Sequence, residues 1–513
     1  MPTVIERRRR LVLGVGSGVF ALLLTNYAFW WHGRDWNAAS RLMLVYALGD
    51  RGTIRINGLE TQTGDLARVG ANYYTEKQPG YSVLGLPIYL VVRAVSGLEP
   101  HPVGVEGFPR WPADYWVTLG VSGVATAWTG ALLSGLALRM GSGSVGAILV
   151  GLGYGLATPA AVYATLAYSH PLAAALLLTS AVLIGMGQAG RGPSGWAAFG
   201  AGFLASYAGA TELAVGPVCA ILGIWFIART LRSGGEGLGQ VVLFGLGVLG
   251  PALMLLGYNT WAFGNPLDTG YAHLILPRFR ELHTASNPLG LTWPRWDRLG
   301  RLLWGEYRGL LFYAPMLLVA PWGWWRLARE PRWRGLAATS VAAVLAVLGV
   351  NLSYPEWTGG WTTGPRLLVP GLPFAMVGVA GVVAGRSRLG VVVVGVLTVL
   401  GLVVAQGFQG VGGRVPETYE HPFQQVVVPH WTGRGLAPGW VGDRFGGNLV
   451  TTFLPWMGDD RVVPPSMQWL QFVPLWLWLM VGTGLLVGWS RRVERGLEGG
   501  CGPVREVQAA EEA

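Results

Sequence analysis

The chain has 513 residues, of which 51% are apolar and 12% charged, with a formal net charge of +10. A soluble domain carries roughly 25% charged residues, and here several apolar runs reach about 17–25 residues, enough to span a bilayer core; this composition excludes an ordinary soluble protein. The positive charge resides in arginines between the apolar runs, which fits the positive-inside bias of membrane loops and removes the reason to read a nucleic-acid surface.

The start, "MPTVIERRRRLVLGVGSGVFALLLTNYAFWW", places a basic block before a long apolar run with no small-residue cleavage site. It reads as a retained signal-anchor helix with Arg7 to Arg10 in the cytoplasm. Further spans are expected at 115–138, 143–163, 170–188, 195–211, 213–229, 240–262, 308–326, 335–352, 366–385, 388–408 and 469–489. With 11–31 they make twelve, and both termini are cytoplasmic. The run 81–97 is short, holds Pro87 and carries Arg93. If it does not span, Arg139, Arg191, Arg229, Arg232, Arg388 and Arg491 all face the cytoplasm; if it spans, all move outside. It is therefore read as an amphipathic segment on the outer face. The fold class that follows is an all-α polytopic membrane protein. The 79 glycines suit close helix contacts, and many of the 25 tryptophans sit at the ends of apolar runs, as interfacial belts do.

Three long segments then lie outside, at 32–114, 263–307 and 409–468, and with the short outer turns hold most of the Asp, Glu and His. The first contains "RDWNAASRLMLVYALGDRGTIRINGLETQTGDLARVGANYYTEKQPGY". Helical spacing over 37–48 predicts a helix that Asp35 or Asn37 caps. "GDRGT", "TQTGD" and "KQPGY" read as turns. Lys77 is the one lysine among 37 basic residues. Taken singly, Asp35 is a cap, Asp65 a turn residue and Glu76–Lys77 a solvated pair. Taken together, with Glu60 between them, they are carboxylates and an ammonium held at a membrane surface. That set suits sugar transfer from a lipid phosphate. The leaving phosphate needs a cation, the acceptor hydroxyl needs a carboxylate base, and two flanking carboxylates are not required. A lysine serves phosphate as a compact point charge.

With the stretches "YNTWAFGNPLDTGYAH" (258–273), "RGLLFYAPMLL" (308–318) and "WTGGWTTGPRLLVPGLPF" (357–374), this first loop resembles the polytopic GT-C glycosyltransferases, the superfamily of protein O-mannosyltransferases and aminoarabinose transferases. It is most similar to bacterial glycosyltransferase-like membrane proteins with "GHYYSDKAPG" in that loop. The resemblance covers the chain up to about residue 375. It implies that Asp35 is the general base and that Lys77 faces the donor phosphate. Asp65 stays as a rival base, because Trp36 stands where the aminoarabinose-transferase type has a second acidic residue. Asn72 stands at the family's histidine.

Other candidates are weighed against plainer roles. His170, in "YSHP", is a helix cap or an acceptor contact. Glu212, between two apolar spans, is costly unless it faces a cavity or partner. Arg366 pairs with Glu356 or binds the donor phosphate. Tyr73, Tyr74, His273 and Glu356 are expected to line the substrate site, while Arg278 and Arg280 read more plainly as loop arginines facing solvent or headgroups than as a lid over the donor. No metal motif is legible, and a divalent metal remains open. No nucleotide-binding motif is present. Cys219 and Cys501 are not expected to form a disulfide.

The chain is expected to divide into a catalytic module (1–408), an outer cap (409–468), a last membrane helix (469–490) and a disordered cytoplasmic tail (491–513). The expected partners are a polyprenyl-phosphate sugar, a lipid, glycan or protein acceptor, and membrane lipids, at the plasma membrane with the site facing outward. A transporter or flippase of lipid-linked glycans would place its ionisable groups near the bilayer midplane, with repeat symmetry. A lipid-glycan ligase or polymerase would rely on the late outer segment.

Overall fold

The computed structural model describes residues 4–99, 111–186, 193–231, 237–284, 287, 289–440 and 443–498. Cys501, Arg191 and Arg232 lie outside them, as does the tail from residue 499. The last helix, Val473–Glu498, continues through the start of the expected tail, because the Glu494 carboxylate accepts hydrogen bonds from the Ser144 amide (2.7 Å) and hydroxyl (2.8 Å).

The chain is an all-α membrane protein. Among the described residues eight helices are long and apolar enough to cross a membrane, and each coincides with an expected span. The other four expected spans are short or broken. Residues 143–163 become Ser144–Leu156 and Ala160–Tyr163, interrupted at Pro159, and 308–326 breaks at Pro315. Proline supplies no amide to the helix ladder. The others are the 17-residue helices Ser169–Gly185 and Gly195–Thr211. Helix α1, Val4–Ala28, packs against Val124–Arg139 and the last helix. The span Arg366–Arg386 is the most enclosed of the eight, with 94% of its most apolar stretch buried.

Two helices of the segment 32–114, expected on the outer face, position the site. Helix α2 spans Trp36–Arg51. Asp35 caps it, its Oδ1 accepting the Ala38 amide at 2.8 Å, and Gly52 ends it in the left-handed region. Leu42, Val45 and Tyr46 are buried along it. Helix α3, Gly80–Ser96, buries Tyr81, Ser82, Gly85 and Tyr89 while Leu84, Val91 and Val95 stay exposed. Its inner face thus carries hydroxyls and its outer face is apolar, the arrangement of a helix lying against lipid. Arg93 pairs with Asp50 of α2 at 3.1 Å.

Among the described residues four short strands complete the frame. Strand β1 (Trp30–Trp31) pairs with β4 (Gly447–Asn448), and β2 (Leu66–Val69) pairs antiparallel with β3 (Asn72–Thr75). Gly70, with φ at +60°, is what the two-residue turn of the second pair needs at its first central position.

Candidate active site

The β2–β3 hairpin builds the centre of the site. Its register pairs Leu66 with Thr75, so Asp65, just before one strand, stands beside Glu76 and Lys77, just after the other. The Lys77 ammonium lies 3.0 Å from Asp65 Oδ2 and also pairs with Glu76 Oε1. All three side chains are largely buried, so the expected solvated Glu76–Lys77 pair is instead an interior triad. Ser40 of α2 ties the hairpin down by donating to the Asp65 carbonyl at 2.7 Å and meeting the Thr75 hydroxyl at 2.6 Å. From the other side the second outer segment presses on it: a Cβ on Gly270 would lie 2.5 Å from Glu76 Cα.

Charges set the protonation of the triad. Burial would raise the Asp65 carboxyl, but Lys77, with Arg366 and Arg41 beyond, outweighs it and holds the group below the usual carboxylate range. Burial pushes Glu76 up to about 6, since Lys77 offsets only part of it and Asp65 adds repulsion. Burial would lower Lys77, but its two carboxylates more than reverse this and raise it.

A second group lies alongside. Tyr168 donates to Asp35 Oδ2, and the Arg366 guanidinium stands 5.2 Å from the Tyr168 ring centre. Burial, then the Asp35 carboxylate, push the Tyr168 phenol well up, so it stays a donor. Arg41, fully buried on α2, donates to the Asn37 carbonyl at 3.0 Å and to Ser169 Oγ at 2.7 Å. Ser169 in turn donates to Glu212 at 2.6 Å. Arg41 Nε, Arg366 Nε and His170 Nδ1 are buried with no hydrogen-bond partner. Buried polar atoms left without partners are costly; the two arginine Nε atoms are donors, and all three residues border the same space.

That space is a cavity of about 1330 Å³. Asp35, Asp65, Lys77, His170, Glu212, Glu356 and Arg366 all line it. Tyr73, Tyr74 and His273 do not. Tyr74 is buried with Tyr258 and Phe263, Tyr73 lies under the Arg68 guanidinium, and His273 stacks on Phe263 and pairs with Asp268 at 2.8 Å. Glu356 pairs with Arg278 and not with Arg366; Arg278 also lines the cavity and Arg280 does not. Val347, Val350 and Leu367, from two membrane-crossing helices, add an apolar wall, and the late outer segment adds Arg414, Glu417 and Trp440.

Sequence reading missed Arg41, Tyr168 and the hairpin. Arg41 was the one signal for itself, a charged residue inside an otherwise apolar helical run. "LARVGANYYT", with glycine between two β-prone stretches, was the signal for the hairpin. Among the described residues no group of three His, Cys, Asp or Glu is arranged to hold a metal ion.

No protein-family model matches the chain, and no curated protein matches it. Solved structures similar to it include ArnT from Cupriavidus metallidurans in the apo state, with 18% identity and a TM-score of 0.40, covering 72% of this chain and 59% of that one. They also include the Archaeoglobus fulgidus oligosaccharyltransferase in the apo form, with 9% identity and a TM-score of 0.42, covering 91% of this chain and 59% of that one. The oligosaccharyltransferase AglB of the same organism, in complex with an inhibitory peptide and a dolichol-phosphate, gives 9% and 0.42 over 83% of this chain and 58% of that one. The chain thus spans under two thirds of the length of each.

Proposed function

We propose that the chain is a GT-C-type membrane glycosyltransferase that moves a sugar from a polyprenyl-phosphate-linked donor to an acceptor hydroxyl on the outer face of the plasma membrane. One observation carries this reading: a single cavity joins buried cations with unmade donors to an apolar wall of membrane-crossing helices. A ligand that suits both parts has an anionic head and a hydrocarbon tail.

The residues divide the work as follows. Lys77, Arg366 and Arg41 stabilise the phosphate as negative charge develops on it. The acceptor oxygen bonds to the sugar carbon while the carbon–oxygen bond to phosphate breaks and its electron pair stays on phosphate. The acceptor proton passes to a carboxylate. Asp65, ion-paired and held low, is a weak base and is better placed to orient Lys77. Asp35 lines the same cavity, and Tyr168 and the Ala38 amide fix its two oxygens. A carboxylate has about four lone-pair sites, so it can still accept a proton.

The test is turnover of a polyprenyl-phosphate sugar by purified protein. Asp35→Asn is expected to lower it by about 10²–10⁴-fold, and Lys77→Ala by about 10²–10³-fold, with insertion retained. Unchanged turnover in either variant removes that residue's role.

A further inference from the structure

Resting on the anionic-donor reading, we infer that Glu76 takes up a proton as the donor binds and holds it beside the phosphate. The geometry behind this is the buried triad. Without a ligand, one ammonium already serves two carboxylates, at 3.0 Å from Asp65 and in direct pairing with Glu76. A phosphodiester brought to Lys77 would give that ammonium a third anion to serve, in surroundings where the side chains of Lys77 and Glu76 are 10% and 7% exposed. An uncompensated buried charge is costly, and the usual response is protonation.

The charged and titratable groups facing Glu76 decide which carboxylate responds. They are Lys77, Asp65 from the hairpin, Arg41 from α2, Tyr271 beside Gly270 and Tyr354 after the helix Arg334–Ser353. Arg41 is the one cation besides Lys77 among them, and its two terminal nitrogens are engaged by Asn37 and Ser169, which leaves its Nε for the phosphate. Asp65 has Lys77, Arg366 and Arg41 to keep it ionised. Glu76 is the less compensated of the two, which its rise to about 6 reflects. Once neutral, it frees Lys77 for the phosphate and turns from a repelling acceptor into an O–H donor.

The proton also closes the reaction balance. When the sugar leaves, phosphate gains an electron pair and becomes a monoester dianion. Transfer of the Glu76 proton makes it a monoanion and returns Glu76 to its starting carboxylate. The acceptor's own proton departs through Asp35 to solvent, so each turnover takes up one proton and releases one.

The test uses full-length protein in detergent and the methyl phosphodiester of a short prenyl alcohol, a probe that does not titrate near neutrality. Binding is measured calorimetrically at about pH 7.5 in buffers of different ionisation enthalpy. The expected result is uptake of about one proton per probe, with affinity falling about tenfold per pH unit above pH 6 and uptake vanishing below about pH 5. Glu76→Gln is expected to bind with no uptake and a flat pH profile. Binding by the native protein without proton uptake overturns the inference and leaves the donor reading standing. Uptake that persists in Glu76→Gln also overturns it. No binding of the probe overturns both. If Glu76→Gln does not fold, the native pH series decides.

Discussion

Lys77 shows what a single position can disclose and what it cannot. Its rarity and its place before α3 were legible in the sequence, as was the cap at Asp35. Its partner was not, because Asp65 is twelve residues away and meets it only through a hairpin whose turn depends on Gly70. Arg41 was hidden for a related reason: in a helix that buries nearly every other face, one arginine reads as its polar edge. Replacing Lys77 by Met leaves two buried carboxylates side by side and is expected to cost about 3–5 kcal/mol, measured as a lowered midpoint in thermal unfolding. That loss should shrink as pH falls, since Glu76, already raised to about 6, becomes neutral first. The native protein should behave in the opposite sense at lower pH. Asp65 is depressed in the folded state, so its contribution is complete above its unfolded value of about 3.9 and is lost as pH drops below that towards the folded one.

At the scale of elements, the second outer segment and the first are held together by a contact with no room for a side chain. Gly270→Ala would bring a methyl within 2.5 Å of Glu76 Cα and 2.7 Å of its carbonyl oxygen. Backbone must then move, and activity is expected to fall at least tenfold while membrane insertion is unchanged. A similar argument applies to Gly70→Val, which imposes about 1–3 kcal/mol of strain in the left-handed region. It should weaken donor binding without touching any residue that lines the cavity. The helices of this segment were legible because caps and 3.6-residue spacing are local signals. The hairpin strands have only four residues each, too short for periodicity to separate them from a loop.

For the whole molecule, eight of the expected spans are continuous and the rest are interrupted by proline or shortened, so hydropathy located the bundle but not its breaks. The late outer segment is the larger surprise. It does not simply sit on the rest. The Arg414 guanidinium donates to the Arg34 carbonyl at 2.7 Å, His32 meets the Gln409 carbonyl at 2.8 Å, and β4 pairs with β1. Asn448 caps the short helix Leu449–Phe453 and donates to Gln471. Asn448→Ala is expected to cost about 1 kcal/mol from the cap alone and to lower turnover together with thermal stability. Phe453→Ser, at a side chain 78% exposed, should leave both unchanged in detergent.

The β1–β4 pair also sets a schedule. Trp31 and Gly447 are neighbours in space but about 400 residues apart in the chain. At ~5–20 residues per second of synthesis, the first strand waits roughly 20–80 s for its partner to be made. Until then the cavity lacks one of its walls. A nascent chain long enough to hold every proposed catalytic residue would still lack that wall, so on the proposed reading activity is expected only once residues 409–468 have been made and have folded onto the rest.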